Sequence, residues 1–310
     1  MTTGGPEALH QLVNHMTNLG LPAFIVYLPF ANDHQTPTPY LKYNAPIGEY
    51  EDLQENLIIF PEIYPMLALK VKSAKAALWW LSLDNFLERK NISFIRDKYH
   101  YIRAILRGKR PLKGAKSLTN LIHFSQTQHA TNYLVSCGIT SAPLIDSINE
   151  FFLNDNYNNY LSTKKNLILY NPTKGKKITQ LLIKTFPQYQ FMPLKGYLPE
   201  AMAQIFYSAK LYIDFGHHPG RDRMPREAAM HGCCIITNKR GSSGNEIDVP
   251  IPSKYKLNEN AADFIEQFSV LSEQVMNNFD ACTKDFESYR TYLKGEPTIF
   301  KQQIANYFCV

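Results

Sequence analysis

Charge is sparse in this chain. Asp, Glu, Lys and Arg make up 19% of its 310 residues, and no block of like charge runs beyond a few positions. The 33 basic against 27 acidic residues leave +6 with histidine neutral, too thin a bias to mark a polyanion-binding surface. Cysteine is scarcer still: Cys137, Cys233, Cys234, Cys282 and Cys309 are an odd number with no CxxC pair. That spacing excludes a zinc knuckle and a disulfide framework. The most apolar stretch, residues 76–83 (AALWWLSL), falls far short of the roughly 18–20 residues of a membrane helix. The opening MTTGGPEALHQL has neither a basic n-region nor an apolar h-region, so no signal peptide is expected and the expected compartment is the cytoplasm.

Several catalytic fingerprints are missing too. There is no GxGxxG, which removes the dinucleotide fingerprint, and no HExxH. Residues 108–117 (GKRPLKGAKS) imitate a phosphate loop, but five residues separate the glycines and Ala115 precedes the lysine. The Walker pattern requires four residues there and a lysine directly after the second glycine. The segment reads as a solvated basic loop.

What is present is apolar and aromatic: 45% hydrophobic residues, with 19 Tyr and 18 Phe, enough to exclude disorder. Short β-rich runs alternate with amphipathic stretches. The runs are 24–28 (FIVYL), 57–60, 77–81 (ALWWL) and 121–124, then 166–170 (NLILY), 189–192, 211–215 (LYIDF) and 233–237 (CCIIT). Continuous apolar runs are the pattern of strands buried on both faces of a parallel sheet. Helical patterns occupy 7–19, 64–74, 128–137, 176–186, 199–209 and 226–231, with longer ones at 259–276 and 280–294. The alternation predicts an α/β fold of parallel sheets flanked by helices. The polar stretch 154–165 (NDNYNNYLSTKK) lies near the midpoint and places a domain seam there.

The chemistry concentrates in residues 214–248, DFGHHPGRDRMPREAAMHGCCIITNKRGSSGNEID. The segment begins at the C-terminal end of the LYIDF strand, where open α/β sheets bind ligands. Pro225 suits a first helical turn, and Gly232 a C-cap. One βαβ unit thus gathers a Gly-Arg-Asp-Arg loop, a helix N-terminus and a second glycine loop at one edge. Such groups approach phosphate oxygens, and arginine adds charge. Glu227, read here in the first turn, has two oxygens for the hydroxyls of a ribose. Its plainer reading is an acid that favours the helix dipole.

The segment resembles the donor-site signature of retaining glycosyltransferases of the two-domain GT-B fold, in particular the family 4 group. The matching residues are Glu227-Ala-Ala-Met-His-Gly232, then Cys-Cys-Ile-Ile, and Gly241-Ser-Ser-Gly244-Asn-Glu246. The resemblance implies two Rossmann-like parallel-sheet domains facing a cleft. The N-terminal, acceptor-side domain would span 1–158 and the donor-binding domain 159–285, with 286–310 a helix crossing back. It gives Glu227 the nucleotide ribose and assigns the donor diphosphate to Lys174 of 167–175 (LILYNPTKG), for which solvated turn charge is the other reading. Gly220, Arg221, Arg223, Gly241, Ser242, Ser243 and Gly244 complete the donor site. The family's first glutamate falls at Pro219, leaving His217, His218, Arg221, Asp222 and Arg223 as substitutes around the donor sugar. Gly4 and Gly5 resemble the family's glycine-rich acceptor-side loop, although only Met1–Thr3 stand where a strand is expected.

Within the first domain Asp84 is a catalytic candidate at the end of WWLSLDNF, a cap being its plainer role. Ser125 follows the 121–124 run as a substrate contact, and His218 is counted with it. Trp79, Trp80 and His10 are assigned to the core. The expected activity is transfer of a hexose-like sugar from a nucleotide-diphosphate donor to a glycan or lipid-linked acceptor, in surface polysaccharide synthesis. The resemblance implies retention of configuration, with no metal and no cofactor. The partners expected are the nucleotide sugar and the acceptor, with no nucleic acid; peripheral membrane association is the variant to cytoplasmic localisation. The alternatives are a non-catalytic glycan- or partner-binding module, a sugar epimerase and a polyol-phosphate transferase.

Overall fold

The computed structural model describes residues 4–30, 34–91, 102, 115–153 and 156–309. Residues 107–114 of the basic loop lie outside the described residues. Two units divide the chain: residues 1–146, 219–221 and 298–310 form the first, 147–218 and 222–297 the second.

The first unit opens with helix α1 (Gly4–Asn18), so Gly4 and Gly5 stand in a helical first turn. Its sheet is β1 (Leu57–Pro61), β2 (Lys75–Trp80), β3 (Ile122–Ser125) and β4 (Ala142–Pro143), all parallel and in that spatial order. Helices α2 (Pro65–Ala68), α3 (Leu83–Asn91) and α4 (Gln128–Ser136) accompany it among the described residues. Strand side chains alternate between faces, and β2 shows why its sequence is apolar throughout. Ala77 and Trp79 pack with Ala8, Leu12, Phe300 and Ile304, while Leu78 and Trp80 pack with Leu83, Leu118 and Leu134. Both tryptophans are fully buried. Trp79 Nε1 donates to the Leu144 carbonyl at 2.8 Å and Trp80 Nε1 to His123 Nδ1 at 3.0 Å. Because Nδ1 accepts, His123 is neutral with its proton on Nε2, which donates to Leu118 O at 2.9 Å. Burial lowers its pKa in the same sense. His10 is likewise a core histidine, 4.6 Å from the Tyr40 ring and bonded to the Tyr27 hydroxyl.

The second unit carries β5 (Lys165–Tyr170), α5 (Lys176–Thr185), β6 (Gln190–Pro193), α6 (Pro199–Ser208), β7 (Ala209–Asp214), α7 (Arg223–Met230) and β8 (Cys234–Thr237). Helices α8 (Phe264–Asn277), α9 (Phe279–Lys284) and α10 (Glu287–Phe308) follow. Its four strands are parallel in the order β6-β5-β7-β8. The chain therefore winds outward from β5 to β6, then returns to the other side of β5 for β7 and β8. That reversal puts a topological switch point between β5 and β7, where loops diverge and a crevice opens outside the carboxyl ends. The sheet is buried: Ile168, Leu169, Leu211, Tyr212, Ile235 and Ile236 are all inaccessible.

Three elements differ from the sequence reading, each for a local reason. Residues 24–28 form no strand; only Ile25 bridges to Ile47, and Phe24 and Val26 face solvent. The helix expected over 64–74 stops at Ala68. The Asp52 carboxylate accepts the N–H groups of Lys72, Ser73 and Ala74 at 2.8, 2.8 and 2.7 Å, holding that backbone outside a helix. The helix expected over 280–294 is broken into α9 and α10, and Arg290 Nη2 donates to the Thr283 carbonyl at 2.6 Å beside the break.

Candidate functional site

Two glycines bring the loops after β5 and β7 together. Gly175 has φ of 58°, and a Cβ there would lie 2.6 Å from the Phe215 carbonyl carbon. On Gly216 a Cβ would lie 2.6 Å from Lys174 Cβ and 2.8 Å from Asp214 Oδ1. Only glycine at both positions permits this backbone contact, and the contact carries Lys174 across the switch point.

There Lys174 enters a cluster of four ionisable side chains. Its Nζ lies 2.5 Å from Asp222 Oδ1 and 3.3 Å from the His217 carbonyl. The other oxygen of Asp222 meets His218 Nδ1 at 2.8 Å, and His218 Nε2 lies 3.2 Å from the Asp214 carbonyl and 3.8 Å from its Oδ1. Burial alone would lower the His218 imidazole; the Asp214 charge and the Asp222 hydrogen bond outweigh it, and its pKa is raised. Burial likewise opposes ionisation of Asp222, yet His218 and Lys174 hold its carboxyl below the usual carboxylate range. Asp214 also accepts from Gly216 N–H at 2.9 Å and from the Tyr212 hydroxyl at 3.2 Å. The ligand atoms of Asp214, His218 and Asp222 lie within 4.8 Å of one another, and the Lys174 ammonium already supplies a cation to that group.

Helix α7 begins two residues before Pro225, with Asp222 at its N-cap. The proline remains harmless because the first four helical N–H groups need no intrahelical acceptor. Asp222 makes no side-chain cap bond, since its oxygens are taken by Lys174 and His218. Glu227 is thereby the fifth residue of the helix, not a first-turn acid, and it is buried. Its carbonyl accepts from His231 Nδ1 at 2.8 Å, and burial pushes His231 down to about 4. Arg223 opens the helix; burial lowers its pKa and the Glu227 charge counters part of that shift.

The Gly241–Gly244 turn joins through its backbone. Ser242 N–H donates to the His218 carbonyl at 2.9 Å. The Ser243 hydroxyl is buried and spent inside the loop, on Asn238 and on the Arg240 carbonyl at 2.7 Å. Gly241 has φ of 59°, and a Cβ on Gly244 would lie 2.6 Å from Lys239 O. The structure thus groups Lys174, His218, Arg223, Glu227 and Gly241–Gly244 in the second unit, at the C-terminal ends of β5, β7 and β8.

The remaining candidates belong to the first unit. A Cβ on Gly220 would run into the Leu81 carbonyl oxygen. Arg221 N–H donates to Gln126 Oε1 at 3.1 Å and its Nη1 to Asp146 O at 3.1 Å. Asp84 lies in the first turn of α3, 3.4 Å from His129 Nε2. Ser125 closes β3, its hydroxyl 2.8 Å from Thr131 Oγ1 and accepting from Ser141 at 3.1 Å. Gly5 is open enough for a Cβ to meet only Leu81 Cδ1 at 3.7 Å.

Several pairings carried no sequence signal, although Asp222 itself was among the residues named around the donor sugar. Asp214 and Asp222 are partners that only the fold brings to His218 and Lys174. Arg226, the fourth residue of α7, pairs with Glu296 Oε2 at 3.0 Å with both side chains buried. Arg240 pairs with Glu259 at 2.6 Å and donates to Phe215 O at 2.8 Å, bracing the site's outer loop.

No protein-family model matches the chain, and no curated protein sequence does. Solved structures match over nearly all of it. Anabaena HepE in complex with UDP-glucose has a TM-score of 0.60 at 9% identity, covering 99% of this chain and 96% of that one. An alpha-glucosyltransferase in complex with UDP and a DNA 13-mer gives 0.55 at 10% identity, over 94% and 93%. The UDP-forming α,α-trehalose-phosphate synthase of Burkholderia vietnamiensis gives 0.53 at 8% identity, over 84% and 74%. The chain has the GT-B fold. In GT-B terms the Lys174 cluster lies on the second parallel sheet, at its switch point.

Proposed function

We propose that this protein is a glycosyltransferase that moves a sugar from a nucleotide-diphosphate donor to a glycan or lipid-linked acceptor, in the synthesis of a surface polysaccharide. The observation that carries the reading is the state of Lys174. An ammonium has three N–H donors, and two are engaged, by Asp222 and by the His217 carbonyl. The third remains for a phosphate oxygen, on a side chain partly exposed at the switch point. The N-terminus of α7 and the Arg223 guanidinium add positive potential at the same edge. The uridine nucleotides of the structures with this fold support UDP-sugars as the first donors to test.

In this reading the bond from the anomeric carbon to the diphosphate breaks, and charge grows on the departing phosphate oxygen. Lys174, held in place beforehand, stabilises that charge without reorganising. The acceptor hydroxyl forms the new bond, and its proton passes to the departing diphosphate. Glu227 accepts from the ribose hydroxyls and orients the donor. Asp84 and Ser125 of the first unit are proposed for the acceptor side, and Gly220 and Arg221, although they belong to that unit, keep their place among the donor-site candidates. Retention of configuration, independence of metal and cofactor, and cytoplasmic location are parts of the proposal. Among the described residues no helix is long and apolar enough to cross a membrane.

The test is Glu227→Gln, which keeps shape and removes charge. Donor-dependent sugar transfer or hydrolysis is expected to fall at least about tenfold with the melting temperature nearly unchanged, a loss of about 1.4 kcal/mol. A 2′-deoxy donor is expected to be weak for the native enzyme and to lose little more in the variant. Equal response of ribo- and deoxyribo-donors in both proteins overturns the assignment.

A further inference from the structure

The second unit has a cavity at the other end of its sheet. It is a half-open depression of about 400 Å³ lined by residues of the 157–162 segment and of α9 and α10, among them Tyr157, Thr283, Lys284, Glu287 and Arg290. That volume suits a small molecule. Behind it lie the N-terminal ends of the strands: Lys164 precedes β5, and its Nζ donates to Phe206 O at 2.9 Å and to Ala209 O, where β7 begins, at 2.8 Å. Cys233, just before β8, is 3.9 Å from the same ammonium.

The wall is anomalous in its charge. Arg290 is 2% exposed. Its Nη2 donates to the Thr283 carbonyl, and the guanidinium carbon lies 4.5 Å from the Tyr157 ring centroid. Nε and Nη1 have no hydrogen-bond partner. No carboxylate pairs with Arg290 or with Lys164 among the described residues. Buried ionised groups are ordinarily paired and hydrogen-bonded; here two cations share one region without a carboxylate, and while Lys164 spends its N–H groups on backbone carbonyls and Cys233, Arg290 is only partly hydrogen-bonded. Burial lowers the Lys164 pKa, and Arg290 adds to that lowering by its charge. The acids nearest by, Asp280 and Glu287, stand exposed at the rim beside Lys284, where solvent screens them; the buried charge is screened far less.

We propose that this cavity is a second binding site, distinct from the switch-point site, that takes a small oxyanion of the phosphate-monoester class against Arg290 and Lys284. The ligand's negative charge compensates the guanidinium, and its hydroxyls meet the exposed Asn158 and Ser162 side chains at the rim. Gly232 makes the arrangement possible. With φ of 77°, it leaves room that a Cβ would take up 2.9 Å from the Tyr157 ring and 3.3 Å from Lys164 Cε. The site lies at the strand ends opposite Lys174, so occupancy of one leaves the other open.

The test is calorimetric titration of the full chain with glycerol 3-phosphate, repeated with UDP saturating. Binding with a Kd below about 1 mM that persists in UDP is expected, and it is expected to weaken about tenfold in the exposed variant Lys284→Ala. Glu287→Gln, which removes a rim acid, is expected to tighten it. Arg290→Gln is expected to abolish binding; should that variant fail to fold, Lys284→Ala and Glu287→Gln decide. Co-sedimentation with phosphatidylcholine vesicles containing phosphatidic acid, lost in Lys284→Ala, would assign a lipid headgroup as the source; binding of the free ester alone assigns a soluble metabolite. No binding to the native chain, loss of binding in UDP, or affinities unmoved by Lys284→Ala and Glu287→Gln overturns the proposal. None of those results bears on Lys174 and the donor.

Discussion

Lys174 Nζ and Asp222 Oδ1 meet at 2.5 Å across 48 positions of sequence. The aspartate stands at the N-cap of α7 and caps nothing; its role is to fix the lysine. This separates a positioning role from simple charge balance. Removing a carboxylate from an anion site should strengthen anion binding on charge alone. With Asp222 as the holder of Lys174, Asp222→Ala is expected to weaken UDP binding about tenfold instead. Calorimetry reads the sign directly, and tighter binding in the variant contradicts the positioning role.

Two histidines give stability opposite dependences on pH. His231 is held near 4 in the folded chain, against 6.5 for the free side chain. The unfolded state then binds the extra proton, so stability is lost as pH falls from about 6.5 to about 4, by up to about 3 kcal/mol. His218 is raised, so its contribution is complete below about 6.5 and is lost as pH rises through its folded value. Melting curves across pH 4 to 9 are expected to lose the acid slope in His231→Phe and the alkaline slope in His218→Gln. Unchanged profiles would mean that neither ring titrates differently on folding.

The glycine contact under Lys174 predicts a local defect. Gly175→Ala meets the Phe215 carbonyl and a positive φ together. Destabilisation of about 2 kcal/mol or more is expected from strain and displaced backbone, with UDP affinity falling alongside. Gly196, also at positive φ but with open space around it, is the control: Gly196→Ala should cost about 1 kcal/mol, from φ alone, and leave UDP binding intact.

Arg226 and Glu296 test a buried pair. Arg226 Nη1 and Ile148 N–H both reach Glu296 Oε2, at 3.0 and 3.3 Å, and the glutamate is fully buried. Glu296→Gln and Arg226→Met should each destabilise by about 3–5 kcal/mol, because a buried charge loses its ion-pair partner. The double variant Arg226→Met, Glu296→Leu should recover most of that loss in chemical denaturation. Additive losses would show that the two residues act independently.

The second sheet was legible because β7 and β8 are buried on both faces and read as continuous apolar runs. LYIDF and CCIIT carry that signal, and the strands lie within two residues of them. Helix 7–19 and helix 176–186 were legible from their periodicity. FIVYL failed because composition cannot tell whether a neighbouring strand exists, and only one residue finds a bridge. The helix over 64–74 failed because a distant carboxylate, Asp52, captures its backbone. At the site the sequence located the segment but not its wiring. Asp222 is an ordinary N-cap residue in sequence; its pairing with Lys174 exists only once β5 and β7 are neighbours. Glu227 was placed two residues too early in the helix because Pro225 was taken as the helix start, whereas the helix begins at Arg223.

The account's central claim is that the switch point between β5 and β7 holds a nucleoside diphosphate through Lys174. The most direct measurement is the affinity of UDP and of uridine for the native chain and for Lys174→Ala. A charge-assisted contact is worth about 1.5–3 kcal/mol, so UDP affinity should fall by about 10- to 150-fold while uridine binding stays unchanged. Equal losses for the two ligands, or UDP binding that ignores the substitution, would contradict it.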